Sequence, residues 1–535
     1  NTVLDRRAVC GAPRGIALST PETLEIACAD GKLVTLPTAS GGVLRSVSLE
    51  ADLRDVIVRD GVTTVTRFKS SELLRLDASG AVTARNRPTS VMGQRSVPIR
   101  TEDGRSLGQR TVEQPFRPLV AWRALAGPNG STVVVHQRAV DASIEIIDKP
   151  TSSGSSYGGN SFSSCSGISQ NAITVVGADG ATADMTFPGA PLPVDATLLP
   201  DGVTLLVAHA GPRDPGAPRP FVVFDGLDEH AGIAPNGGEG PRVSTLSIIT
   251  LPPAPAGPAA PEGTVASNPN CLFANTAPIT DPAVAVAFNP ARPMQVVVQT
   301  RQPSSLVIID DMNQPWLMRT VFFDDGTTLD TGFQLFHRDS GGGIACATCH
   351  AEGAEDGNVW RFDGLGERRT QALNVGLDGT APFHWDGTLY SVGMLMSEVF
   401  VGRMGGIHES PARLRGLEEW IFTQRPPAPL RAADDAAALR GKELFDSRAV
   451  GCASCHSGSH FTNNESRFVG TDARVLMQVP PLVGIGYRAP YMHDGCAPTL
   501  AARFDPACGG GEEHGHTAQL TAAELSDLVA YLESL

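Results

Sequence analysis

Aromatic residues are scarce in this chain, with 5 Trp, 5 Tyr and 20 Phe among 535 residues. Long apolar runs are missing too. No stretch of about 18 apolar residues exists, so no segment reads as a helix able to span a bilayer. Positive charge is also short: 42 Lys and Arg against 57 Asp and Glu leave a net charge of −15. Nothing here would neutralise a phosphate backbone, which argues against nucleic acid as a partner. The opening "NTVLDRRAVC" has neither a charged n-region nor an apolar h-region. An export signal is therefore either lacking or already removed, and the cysteines must decide. What is abundant is Gly (57) and Pro (41), which favours many turns and short strands over long helices. The length suggests about three domains, at roughly 100–200 residues each.

Ten cysteines are present, at 10, 28, 165, 271, 346, 349, 452, 455, 496 and 508. Four of them belong to two C-x-x-C-H pentapeptides, "CATCH" and "CASCH". The remaining six are what disulfides in an oxidising compartment would leave. Cys496 and Cys508 flank one short loop and are the first pair expected; Cys10–Cys28 and Cys165–Cys271 complete the set. The alternative is six buried free thiols. An exported protein is expected, periplasmic or extracellular.

Residues 1 to about 325 are all-β in pattern and loosely repetitive. Similar units appear at 15–36, 53–77, 119–148, 194–225 and 285–310. Each runs strand, turn, β-branched strand, turn, third strand, and four of them end on Asp77, Asp148, Asp225 or Asp310. A unit of this kind cannot bury both faces alone, so copies must stack, which is the logic of a β-propeller. A β-sandwich is the alternative. The aspartates read as turn caps, and His136 and His209 as structural strand residues. "TSSGSSYGGNSFSSCSG" (151–167) and "LPPAPAGPAAPEG" (251–263) read as surface insertions.

After about 325 the texture changes to short helices and Gly-rich loops. Gly332/Phe336 and Gly441/Phe445 form the same G-x-x-x-F ahead of each pentapeptide. Ser410-Pro411 opens a helix with Leu414, Leu417 and Ile421 on one face, and "RPPAP" (425–429) stops it. Thr521 and Glu524 make a capping box for a last helix, with Leu520 and Leu525 as a staple. The expected architecture is multidomain: a β-propeller over 1–325, then two mainly α cytochrome c-like domains at 326–428 and 429–535.

C-x-x-C-H is the attachment signature of a c-type haem. Two cysteines a helical turn apart can form thioethers with the vinyl groups of one porphyrin, and the next residue lies under the iron. Cys346, Cys349 and His350 make one such set; Cys452, Cys455 and His456 make the other. A zinc site built from the two C-x-x-C pairs is the alternative. It would require neither a His after each second cysteine nor matching G-x-x-x-F helices. Two covalent haems are expected, with His350 and His456 as proximal ligands. The distal side decides function, since an open sixth position allows chemistry and two strong ligands favour electron transfer. Candidates are His337, His384, Met394, Met396, Met404 and His408 in the first domain. In the second they are His460, Met477, Met492, His493, His514 and His516.

From 326 to 535 the chain resembles the bacterial di-haem cytochrome c peroxidases and their MauG-like relatives. The resemblance rests on "RGKELF…CASCHSGSHFT", "VPPLVGIGYRAPYMHDG", "APFHWDGTL" and the terminal "LTAAELSDLVAYLESL". It implies a peroxide-reactive N-terminal haem and a C-terminal haem that stores or delivers electrons. Trp385 would lie between them as a relay, and a calcium ion between the domains is a further implication, with no ligand set legible. The chain departs from the pattern at "VFVGRMGGIHE", where Arg403 stands in place of the peroxidatic Glu. An arginine can stabilise negative charge but cannot act as the base for O–O cleavage. Glu398 and Glu409 are nearby substitutes; alternatively Met404 ligates the first iron and closes it. After "HDG" the family places Met or Tyr as distal ligand, whereas this loop holds His514 and His516. His514 is the expected ligand and Met492 the second choice. The readings are thus a haem redox enzyme, a di-haem electron carrier acting with a redox partner protein, and a propeller scaffold with cytochrome domains appended.

Overall fold

Asp60–Gly61 and Asn129–Gly130 both take positive φ (51° and 77°, 52° and 73°). Such pairs turn a chain tightly enough to join neighbouring antiparallel strands. Meanders of this kind account for the N-terminal region of the computed structural model, which describes residues 5–100, 106–146, 155–158, 164–212, 244–267, 271, 274–323, 330–469 and 475–535. This region is a β-propeller of five blades. Among the described residues four blades are four-stranded; the third adds the strand Ser90–Arg100 and a short parallel strand, Val265–Ala266.

The chain divides into two compact units. One comprises Asn1–Arg85, Cys349–Leu395 and Ser410–Leu535; the other comprises Asn86–Thr348 and Met396–Glu409. In the first unit Ala27 and Leu33 of blade one pack on Leu53, Val56, Val65 and Leu74 of blade two. In the second unit Val133, Val135 and Ile173 of blade three pack on Leu205 and Val207 of blade four. Leu206 and Leu246 of blade four in turn meet Val286, Val296 and Val298 of blade five. Blade four is thus covered on both faces, so its strand Thr204–His209 is buried almost throughout.

All five repeated segments fall in blades, but two of their third strands lie elsewhere. In the third copy the strand beside Thr132–Val140 is Ser169–Val176, not 143–148. In the fourth it is Leu246–Thr250, while 213–243, including Asp225, lies outside the described residues. The insertions enter between second and third strands, so a nearby apolar run imitates the missing strand. The Ser/Gly-rich loop is also more than a surface insertion: Ser155, Ser156 and Cys165 are buried. Asp77 does cap a turn, accepting from Ser79 N at 2.8 Å and Ala81 N at 3.0 Å. Asp310 instead accepts from the Gln295 side chain at 2.6 Å, and Asp148 lies outside the described residues. His136 and His209 are internal struts, held by Thr174 and Ser247 at 2.9 Å each.

The C-terminal part of the first unit is helical and cytochrome c-like. Helix Pro411–Thr423 starts at Ser410, whose hydroxyl accepts from Arg413 N, and buries Leu417 and Ile421. Helix Ala522–Leu532 carries the Thr521/Glu524 capping box. It packs on helix Ala436–Asp446 at Gly441, where a Cβ would sit 1.9 Å from the Asp527 carbonyl oxygen. Only glycine permits that approach. The three expected disulfides, Cys10–Cys28, Cys165–Cys271 and Cys496–Cys508, are all present.

Candidate functional site

Gly451 turns the chain at φ 84°, and Cys452–Ser454 forms a single 3₁₀ turn that brings His456 N to the Cys452 carbonyl at 3.0 Å. Both cysteines of the pentapeptide thereby face one cavity of about 690 Å³, within the roughly 300–1,000 Å³ range of cofactor sites. Phe445, Leu482, Ile485, Leu500 and Leu528 supply apolar walls. His456 is buried, and its Nδ1 lies 3.0 Å from the Phe461 carbonyl. A carbonyl there fixes the proton on Nδ1 and leaves Nε2 as the ligating nitrogen. Burial, with Arg503 adding to it, pushes the His456 imidazole down to about 4, so the ring is neutral.

The cavity also holds cations that the protein leaves unsatisfied. Arg369 is paired with Glu355, which also takes Lys69 at 2.8 Å, yet its Nε has no partner. Arg488 donates to the Pro481 carbonyl at 2.7 Å, and its Nη2 is buried without a partner. Arg503 donates to the His514 carbonyl at 2.9 Å; its Nη1 is likewise alone. Burial drives both Arg488 and Arg503 down to about 10. Buried N–H groups left without an acceptor cost about 1–3 kcal/mol each. The two carboxylates of a porphyrin are the chemistry that would satisfy them, so the residues present fit a haem. The zinc alternative fares worse. Among the described residues the one group of three metal-binding side chains within 4.8 Å is Cys10, Cys28 and Asp30, and its two cysteines form a disulfide.

The first pentapeptide has the same local form. Cys346–Cys349 is one helical turn, and His350 Nδ1 faces the Ala354 carbonyl at 3.4 Å. Burial lowers His350 and raises the Cys346 thiol to about 11. Both residues of each G-x-x-x-F precede their pentapeptide on a helix, with Phe336 and Phe445 buried.

A second duplication was not recognised in the sequence. Residues 381–389 and 489–497 share A-P-[FY]-x-x-D-G and one backbone: a cis proline, positive φ at His384 and Met492, and again at Gly387 and Gly495. The bridges Phe383↔Leu389 and Tyr491↔Ala497 close both loops. Each loop accepts from the other half's hairpin: Arg369 N donates to the His493 carbonyl at 2.6 Å, and Gln478 N to the Trp385 carbonyl at 2.7 Å. The equivalent residues Trp385 and His493 meet edge-on, ring centroids 6.2 Å apart, and both line the cavity.

The remaining candidates separate. Met477, Met492, His493, His514 and His516 line the cavity, whereas His460 does not. His516 is more than half exposed and bonds Glu512 at 2.6 Å. Glu398 and Arg403 lie on a π-helical turn, Met396–Arg403, and Glu398 is exposed. Arg403 donates to the Tyr157 hydroxyl at 3.3 Å, and Glu409 is buried in an ion pair with Arg338. Met404 is buried, its carbonyl accepting from Ser340 Oγ at 2.8 Å. His337 is committed to its own helix, stacked on Phe333 with Nδ1 2.9 Å from the Phe333 carbonyl.

Residues 438–535 match the cytochrome c family. The C-terminal region carries a cytochrome c domain and is MauG-like. Its similarity to the methylamine utilization protein MauG of Methylorubrum extorquens is 29% identity over 261 residues, 36% of this chain and 73% of MauG. Hydrazine synthase subunit gamma of Kuenenia stuttgartiensis is 27% identical over 256 residues, covering 36% of this chain and 72% of the subunit. A solved structure of hydrazine synthase from the same organism aligns with a TM-score of 0.34 and 24% identity, over 36% of this chain and 82% of that one. The chain is thus a haem redox protein carrying covalently bound c-type haem. No helix among the described residues is long and apolar enough to cross a membrane.

Proposed function

We propose that this is an exported di-haem cytochrome that passes electrons between its two haems and a redox partner protein. Its domains would be the propeller over 1–325 and haem domains at 326–428 and 429–535. The observation that carries the reading is the cavity at Cys452, Cys455 and His456, lined by arginines that each keep a guanidinium N–H without a partner. Bound haem iron supplies one-electron chemistry there. The chain's own contribution is to hold neutral imidazoles at His350 and His456, each fixed by a backbone carbonyl. Arg488 and Arg503 would receive the porphyrin carboxylates, and the apolar wall keeps water out. Trp385, touching His493 beside the cavity, would serve as the relay.

Electron transfer is favoured over peroxide chemistry because the acids in and just after the π-helical segment are poorly suited to proton transfer. Glu409 is committed to Arg338 and Glu398 is exposed. Peroxide-linked oxidation is the second reading, favoured by the π-helical turn itself, a feature frequent at functional sites. In it Arg403 stabilises negative charge and Glu398 accepts the proton. Mixing the fully and half-reduced protein with hydrogen peroxide decides between them. Unchanged spectra and no turnover are expected; sustained peroxide consumption would overturn the carrier reading. Arg403→Glu sharpens the test, since restoring a carboxylate should create peroxide turnover if this segment flanks the first iron.

A further inference from the structure

His514 lines the same cavity as His456, with ring centroids 6.0 Å apart and planes 26° from parallel. Two imidazoles bound through nitrogen to opposite sides of one metal ion, at about 2 Å per bond, have centroids about 6 Å apart. The ring is half-buried, and its Nδ1, itself buried, has no hydrogen-bond partner. His136, by contrast, is held at both ring nitrogens, by Thr174 and the Gln137 carbonyl. An imidazole that lines the cavity at ligand spacing from the proximal His is placed to complete a metal site.

The backbone around His514 is held firmly. Arg503 Nη2 donates to its carbonyl at 2.9 Å, and His516 N donates to Val450 O at 2.9 Å. Gly515, at φ 78°, lets the loop return against Val450, just ahead of the pentapeptide. Thr517 N closes the turn on the Gly511 carbonyl at 2.7 Å, and the Cys496–Cys508 disulfide closes the preceding loop. His516, two residues on, points to solvent and pairs with Glu512. Met477 and Met492 line the cavity as rivals.

We infer that His514 is the sixth ligand of the iron attached at Cys452 and Cys455, opposite His456. The inference rests on the proposed haem attachment and adds that this iron is closed on both faces by imidazole, where MauG-like relatives are expected to use Met or Tyr. A closed iron exchanges electrons without binding a small ligand.

The test uses the full holo protein and three variants, His514→Gly, His514→Met and Met492→Leu, followed by EPR and near-infrared spectra. The expected wild-type signal from this haem is low-spin and rhombic, as for nearly parallel imidazoles. His514→Gly should lose that signal, gain carbon monoxide binding at one haem, and recover the signal with added imidazole. His514→Met should add a sulfur-to-iron band, and Met492→Leu should change nothing. Unaltered spectra in both His514 variants, or loss of the low-spin signal in Met492→Leu, would overturn the ligand assignment. Peptide mass analysis of the wild type keeps the two claims apart. Haem on the Cys452–Cys455 peptide with unaltered variant spectra sinks only the ligand; a bare peptide sinks the haem reading.

Discussion

The loops 381–389 and 489–497 have the same backbone and different side chains. His384 stands where the other has Met492, Trp385 where it has His493, and Thr388 where it has Cys496. What is common is what the fold demands: the Ala-Pro step, the left-handed residues and the Asp-Gly turn. Of what differs, Trp385, Met492 and His493 line the cavity. A duplicated scaffold has been kept while the residues it carries diverged, and the divergent pair, Trp385 and His493, is where the halves touch.

The largest way to break this comparison is to remove one half's attachment. Cys452→Ser with Cys455→Ser should lose one of two covalent haems, and Cys346→Ser with Cys349→Ser the other, read by intact mass. If either double variant retained both, the duplication would not be functional. Next come the paired glycines. Each takes positive φ, so alanine costs both roughly 1–2 kcal/mol. The Cβ at Gly495 would also meet Val359 Cγ2 at 2.5 Å, against Ser466 Oγ at 3.0 Å for Gly387. Gly495→Ala should therefore cost roughly 1–3 kcal/mol more, measured by denaturant unfolding; equal costs would deny the tighter packing. Smaller is the touching pair. A double-mutant cycle on Trp385→Ala and His493→Ala should give a coupling of about 0.5–1.5 kcal/mol. The smallest effect separates the helices that close each half. Thr521→Ala should lose about 1 kcal/mol and Ser410→Ala less, because Thr521 sits in a complete capping box and Ser410 accepts at 3.4 Å.

Much of this could be read from local pattern. The five strand repeats, the caps at Ser410 and Thr521, the G-x-x-x-F helices and the Cys10–Cys28 and Cys496–Cys508 disulfides follow from short-range chemistry, whereas Cys165–Cys271, 106 residues apart, is the pair those two leave. The third strands of blades three and four were misread because insertions separate them from their partners, and pairing across an insertion leaves no local trace. Arg503 and Arg488 escaped notice because an arginine's lack of an acidic partner is visible only once the fold surrounds it. The A-P-x-x-x-D-G repeat was in plain view: both loops carry the same residues at the same spacing, and aligning them would have exposed it. His514 could be named as a candidate from its loop, but choosing it over His516 required knowing which imidazole turns inward.

Intact-mass measurement of the chain, produced in cells that attach haem to cysteine, bears most directly on the redox reading. Polypeptide plus two haem groups, with Cys346, Cys349, Cys452 and Cys455 all unavailable to thiol reagents, is the predicted result. A mass equal to the unmodified chain, with those four thiols free to react, would contradict it.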